Sequence, residues 1–308
     1  MKKSGKLLIV GGTGFIGRAV AKEAVKRGFQ VTIISKNNCP KPKQLKNTEY
    51  ISVDIANKNN LKLVLKGKVF CYVLNLGGYI NHASYYDGGS EVFKVHFNGT
   101  KNLVTYIEKS NLKSFIQIGS SDEYGANNAP QNESQRELPI SPYSLAKVAS
   151  THFLQMLYRT EGFPVAIIRL FLVYGPEQDD TRFIPQIVKG CLNNDKFPVS
   201  HGEQLRDFCY IDDIVNGILT ALINININGE VINLASGKPV TIREVVEKVK
   251  KTVGKGEIEF GKVPYRIGEN MELYADTSKA KELLEWEPLV TLSQGIFKTV
   301  ASYQKNVL

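Results

Sequence analysis

The chemistry open to this 308-residue chain is most visible in Ser141-Pro142-Tyr143-Ser144-Leu145-Ala146-Lys147. Tyr143 and Lys147 are four apart and share one face of a helix, with Ser141 a suitable N-cap and Pro142 a suitable first residue. An ammonium beside a phenol favours phenolate and draws its pKa down from about 10. Such a tyrosine can exchange a proton with a hydroxyl or carbonyl. Tyr-x-x-x-Lys also occurs by chance as a surface pair, so it needs a setting.

The setting begins at Gly11-Gly12-Thr13-Gly14-Phe15-Ile16-Gly17, between the apolar run Leu7–Val10 and a helical pattern, Ile16 to Arg27. Gly11, Gly14 and Gly17 allow a tight turn, close approach of backbone to a pyrophosphate and close helix–sheet packing. Phe15 and Ile16 open the helix and offer N–H groups to phosphate. A dinucleotide is implied, and with it a nicotinamide for Tyr143 to work beside. An acid after the second strand would select NAD by holding the ribose 2′-hydroxyl. Here Ser35-Lys36 stands there instead, a hydroxyl and a cation that suit a 2′-phosphate, with Arg18 a possible second cation. NADP(H) is therefore expected over NAD(H), unless Lys36 is only the start of the basic loop Lys36 to Lys46. Asp54 follows the third strand and can accept from an adenine amine or simply cap a helix.

These residues require a particular frame. Short apolar runs at Leu7–Val10, Val31–Ile34, Tyr50–Val53, Phe70–Leu74, Phe115–Ile118 and Val165–Phe171 read as strands. Helical patterns separate most of them, notably Val92–Lys109 and Tyr143–Glu161. That alternation predicts an α/β fold, a doubly wound parallel sheet of the Rossmann type with ligands beyond the carboxyl ends of its strands. Residues 1–172 would form this domain, with a return at about 206–236. Residues 173–205 and 237–308 would form a smaller, discontinuous α/β cap.

Composition excludes several classes. With 43% hydrophobic and 22% charged residues the chain is neither disordered nor fibrous. No apolar stretch approaches the roughly 18–20 residues of a membrane span, nor is there a signal-peptide pattern. A cytoplasmic protein without a membrane partner is expected. The net charge of +9 suits anionic ligands, but its basic residues are scattered, so no nucleic-acid partner is expected. Cys39, Cys71, Cys191 and Cys209 have neither C-x-x-C spacing nor clustered histidines, and neither metal nor disulfides are anticipated.

Further blocks carry a resemblance. The strand Phe115–Ile118 runs into Gly119-Ser120-Ser121-Asp122-Glu123-Tyr124-Gly125. Beside it stand His96-Phe97-Asn98-Gly99-Thr100, Arg169-Leu170-Phe171-Leu172-Val173-Tyr174-Gly175-Pro176, Arg206-Asp207-Phe208 with Asp212-Asp213, and Ala275-Asp276-Thr277 through Trp286-Glu287-Pro288. In this order they resemble the extended short-chain dehydrogenase/reductase family of nucleotide-sugar epimerases, dehydratases and reductases, over almost the whole chain. The resemblance implies Tyr143 as general acid or base, Lys147 on the nicotinamide ribose, and Ser120 orienting the reacting oxygen. It implies Arg206 on the diphosphate of a nucleotide-diphosphate sugar, with Arg266 a weaker second, and a homodimer. For Arg206 an internal salt bridge to Asp207 or Asp212 is the other reading.

Three departures point to a reductase. Ser35-Lys36 replaces the family's NAD-selecting acid. Ser121 and Asp122 stand where many dehydratases carry aspartate and glutamate, leaving Ser121 to bind substrate and Asp122 to assist a proton transfer or bind a sugar hydroxyl. Leu172 and Asn75-Leu76-Gly77-Gly78 replace residues usual in simple epimerases. The expected activity is NADPH-dependent reduction of a nucleotide-linked 4-keto-6-deoxyhexose. A 4-epimerase or 4,6-dehydratase is the alternative, and a non-catalytic RNA-binding or scaffold relative the remote one. Glu123 is left facing either substrate or solvent.

Overall fold

The computed structural model describes residues 4–265 and 269–305. Its first half runs β1 (Lys6–Val10), α1 (Phe15–Lys26), β2 (Gln30–Ser35), β3 (Glu49–Ser52), α2 (Lys58–Leu65), β4 (Tyr72–Asn75), α3 (Ser90–Phe93), α4 (Gly99–Tyr106), β5 (Ser114–Ser120), α5 (Pro142–Glu161) and β6 (Val165–Leu170). Next come β7 (Leu172–Tyr174), α6 (Phe183–Asn193), β8 (Lys196–Pro198), β9 (Leu205–Tyr210), α7 (Ile211–Ile223) and β10 (Val231–Leu234). The chain finishes with β11 (Pro239–Thr241), α8 (Ile242–Val253), β12 (Glu257–Glu259), β13 (Glu272–Leu273), α9 (Ser278–Leu284) and α10 (Leu292–Lys305).

Seven strands form one parallel sheet in the order β10-β6-β5-β4-β1-β2-β3. Both of its faces are covered, which is why the strands are apolar at consecutive positions. Leu7, Ile9, Val31 and Ile33 pack with Val20, Ala21 and Ala24 of α1 on one side. Leu8, Val10 and Ile34 pack with Leu61, Leu65 and Leu103 on the other. Burying each such side chain stabilises the sheet by about 1.5–3 kcal/mol. Strand order reverses between β1 and β4, opening a crevice at their carboxyl ends where ligands of such sheets bind.

α5 carries the tyrosine–lysine pair and is fixed at both ends. The Ser141 hydroxyl accepts from the Ser144 N–H (3.1 Å), and the Ser144 hydroxyl oxygen accepts from the Ser141 N–H (2.9 Å). At the other end Gly162, at φ +65°, adopts the left-handed turn that stops the helix. Its buried face includes Tyr143, Lys147 and Thr151, spaced by four.

The helix expected over Val92–Lys109 forms from Ser90 to Tyr106, helical throughout but locally widened. α3 ends at Phe93, residues 94–98 widen into a π-type turn, and α4 begins at Gly99 and ends at Tyr106. The wider turn carries His96 to within 5.1 Å of the Tyr143 ring, centroid to centroid. Gly99 then lies so close to Ile55 that a Cβ would collide with it.

Beyond β6, strands β11, β9 and β13 form a smaller sheet, with β7 pairing to β9. β8 and β12 pair separately. β9 thus lies in the smaller sheet, while β10 returns beside β6 in the large one. Among the described residues no helix is long and apolar enough to cross a membrane, and no cluster of three or more His, Cys, Asp or Glu could hold a metal. All four cysteines are free.

Candidate active site

The glycine loop fits a dinucleotide by its backbone. Gly11 sits at φ +79°, and a side chain there would meet the Leu76 carbonyl. A Cβ on Gly17 would run into the Gly11 carbonyl and the Gly12 Cα. Gly14 caps α1 with no side-chain hydrogen bond, so the N–H groups of Phe15 and Ile16 face the crevice without a side-chain cap. This cradle would be filled by any larger residue, and an uncapped helix start is suited to phosphate.

At the far end of the crevice, Ser35 and Lys36 are engaged within the protein. The Ser35 hydroxyl donates to the Asn37 carbonyl (2.7 Å). Lys36 Nζ lies 3.0 Å from Asp54 Oδ2, and that carboxylate holds the lysine pKa above its usual value. Asp54 also accepts from the Ala56 N–H, whereas Asn57 caps α2, so Asp54 is not that helix's cap. Arg18 lies 3.9 Å from Glu177 and donates to the Lys43 carbonyl.

Ser120, Tyr143 and Lys147 meet at the carboxyl edge of β5. Tyr143 and Lys147 are buried, and the Ser120 hydroxyl is a hydrogen-bonding neighbour of the Tyr143 phenol. Lys147 Nζ donates to the Ile118 carbonyl at 2.8 Å and stands 5.9 Å from the Tyr143 ring centroid. Burial lowers the Lys147 pKa to about 8, against the charges of Glu123 and Asp122. The expectation of an acidified tyrosine is corrected here. Burial raises the phenol's pKa, Asp122 and Glu123 raise it further, and only the Ser120 hydrogen bond and Arg182 oppose them. Deep burial, which strips solvent from the phenolate, and the two carboxylates outweigh Ser120 and Arg182.

Asp122 belongs to the same cluster. Burial raises its carboxyl pKa, while His82, Arg206 and Lys147 pull it down. His82 Nε2 lies 3.7 Å from Asp122 Oδ2, and its ring stands edge-on to Tyr143 at 5.6 Å. Ser121, next in the turn, is buried.

Arg206 does form an internal ion pair, but with Glu269 rather than with Asp207 or Asp212. Asp207 instead accepts from the backbone N–H groups of Ser236, Gly237 and Ala275. Arg206 and Glu269 border a cavity of about 830 Å³ that includes Phe197, Gln204 and Tyr265. The buried side-chain amide oxygen of Gln204 there has no hydrogen-bond partner among the described residues. Arg266 lies outside the described residues.

Several residues of the site escape a reading of the sequence. His82 sits in an irregular loop with no spacing to mark it. His96, buried and holding the Tyr79 carbonyl at 2.8 Å, has its pKa lowered to about 3 by burial and by Lys147, so it is a neutral wall for Tyr143. A lone histidine on an otherwise apolar helical face was its available signal. Glu123 faces neither substrate nor solvent. It is fully buried, 2.9 Å from the equally buried Arg169.

The model of the NAD-dependent epimerase/dehydratase family matches residues 7–235. The chain belongs to that family. As a member it is an NAD(P)-dependent enzyme acting on nucleotide sugars. This family chain is 30% identical to the UDP-N-acetyl-alpha-D-glucosaminuronate decarboxylase of Bacillus cytotoxicus, with 99% of each covered. It is similar to the UDP-glucose 4-epimerase of Thermotoga maritima, solved with UDP-glucose, at 26% identity and TM-score 0.89, covering 98% of this chain and 100% of that one. The UDP-glucuronic acid 4-epimerase of Bacillus cereus, solved with its sugar nucleotide and NAD, aligns at 26% identity and TM-score 0.87, covering 98% and 99%. These relatives point away from the expected ketoreductase.

Proposed function

We propose that the chain is an NAD-dependent nucleoside-diphosphate-hexose 4-epimerase. The observation that carries this reading is the alignment of the chain along almost its whole length with 4-epimerases, and the Lys36–Asp54 ion pair engages the cation on which the NADPH-reductase expectation rested. Bound NAD would supply the hydride acceptor for C4 of the sugar. The glycine loop and the start of α1 would hold its pyrophosphate. Tyr143 would take the C4 hydroxyl proton as phenolate and return it as phenol, with Ser120 orienting the oxygen. Lys147 would bind the nicotinamide ribose. His96, being neutral, adds no charge beside the phenol. Arg206 would exchange Glu269 for the substrate diphosphate, where a guanidinium fork fits phosphate oxygens. The Gln204 side-chain amide oxygen, without a partner among the described residues, would accept from the nucleoside in the adjoining cavity.

The His82–Asp122 pair favours a second reading, a 4,6-dehydratase. Once C4 is a ketone, elimination of water needs a base to take the C5 proton and an acid to protonate the departing C6 hydroxyl. Glu123 is closed off against Arg169, so His82 and Asp122 are the pair in place. Incubation with UDP-, dTDP-, GDP- and CDP-hexoses and NAD separates the readings. An epimer without net cofactor reduction supports the first; a 4-keto-6-deoxy sugar supports the second. Oxidation of NADPH by 4-keto-6-deoxy sugars, with neither of those products, would restore the reductase. We also read the exposed Leu145 and Met156 of α5 as the face on which two copies associate, tested by light scattering of the Leu145→Glu variant.

A further inference from the structure

The turn after β5 contains a carboxylate that the proposed chemistry does not use. Glu123 has no solvent exposure, and its two oxygens are shared among three elements. One oxygen accepts from the Ser120 backbone N–H at 2.9 Å. The other accepts from the Thr151 hydroxyl at 2.8 Å and from Arg169 Nε at 3.1 Å. Arg169 continues to Glu137 at 2.6 Å and lies 4.6 Å over the Tyr124 ring. Burying a full charge is costly unless it is paired and hydrogen-bonded, and each oxygen of Glu123 is so satisfied.

What the carboxylate joins is specific. Ser120 ends β5. Thr151 is one turn beyond Lys147 on the α5 face that also carries Tyr143. The groups read above as reacting are therefore divided between two elements, and Glu123 bonds to both. We infer that Glu123 is a positioning residue that sets Ser120 in register with Tyr143 and Lys147, with Arg169 as its buried counter-charge. This rests on the proposed roles of those three residues. A catalytic constellation must be held to a fraction of an ångström by side chains that are themselves fixed. A carboxylate locked by an arginine in a central strand is a stiffer tie than packing alone.

Thr151→Val breaks only the link to α5 and leaves the ion pair intact, so the fold is kept. It is expected to lower kcat about tenfold with KM within about twofold, and Thr151→Ser is expected to restore the rate. Glu123→Gln removes the charge; its one amide oxygen can still accept from the Ser120 N–H, while its NH2 would donate to the Thr151 hydroxyl instead of accepting from it. The Tyr143 phenol is faced by Ser120, Asp122 and Glu123 from the turn, by His82, His96, Lys147 and Arg182 from other elements. Removing the Glu123 charge should therefore shift its ionisation to lower pH. The tyrosinate absorbance, read as a difference from Tyr143→Phe, measures this without substrate. Unchanged ionisation in folded Glu123→Gln overturns the inference. So does Thr151→Val turning over like the parent, or Thr151→Ser failing to recover. A parent protein inert on every nucleotide hexose refutes the proposed function instead, and the titration then decides the positioning role.

Discussion

Lys36 and Asp54 close an ion pair of 3.0 Å across the carboxyl ends of neighbouring strands, at the place where cofactor choice is made in this sheet. A 2′-phosphate would compete with Asp54 for the lysine and meet the carboxylate's charge. The chain is therefore expected to bind NAD at least as well as NADP. Asp54→Asn should free Lys36 and improve NADP binding about tenfold relative to NAD, a ratio readable by titration of each cofactor. A parent that prefers NADP tenfold would return the reductase to first place.

Tyr143→Phe removes the hydroxyl proposed to move the C4 proton and leaves the buried ring among His82, His96 and Lys147. Positioned acid–base groups contribute about 10²–10⁴ in rate. Turnover should fall by that factor while NAD affinity stays within about twofold. A variant that keeps a tenth of the activity would place the acid elsewhere.

Most of the frame was legible because parallel strands covered on both faces must be apolar throughout, and glycine spacing reports where backbone meets backbone. Ser120, Tyr143 and Lys147 come together because strand end and helix face are both set by local pattern. What stayed hidden depends on tertiary surroundings. Burial reverses the expected direction of the Tyr143 pKa, and no spacing rule reports desolvation. Arg206 pairs with Glu269, sixty-three residues away and reached only through the fold. Glu123 has one signal in the sequence: Arg169 stands in an otherwise apolar strand, Val165–Phe171, and a buried guanidinium requires a carboxylate.

Asp122 opposes loss of the Tyr143 proton through its negative charge. Asp122→Asn removes that charge, so the phenol should ionise at lower pH. The acid limb of kcat against pH should move down with it, since phenolate is the form that accepts the C4 proton. For a 4-epimerase the rate below that limb then rises or holds. For a 4,6-dehydratase the elimination product disappears, because the group proposed to serve C5 and the C6 hydroxyl can no longer exchange a proton. Product analysis across the pH range distinguishes the outcomes, and an acid limb that moves up would contradict the electrostatic account.

Lys147 combines function with a stability cost. Its folded pKa is about 8, lowered by burial from the ordinary 10.5. Between those values the unfolded chain binds more protons at this residue than the folded chain, so its contribution to stability rises with pH. Below about pH 8 the buried ammonium carries its full penalty; by about pH 10.5 the penalty is relieved. Lys147→Met lacks this titration. The stability difference between parent and Lys147→Met should therefore turn toward the parent as pH rises through that window, measured by urea unfolding of both proteins. Over the same range parent activity should decline, because the ammonium proposed to hold the nicotinamide ribose is being lost. A stability difference that is flat with pH would mean the lysine is solvated in the folded chain, and the burial that raises the Tyr143 pKa beside it would be in doubt as well.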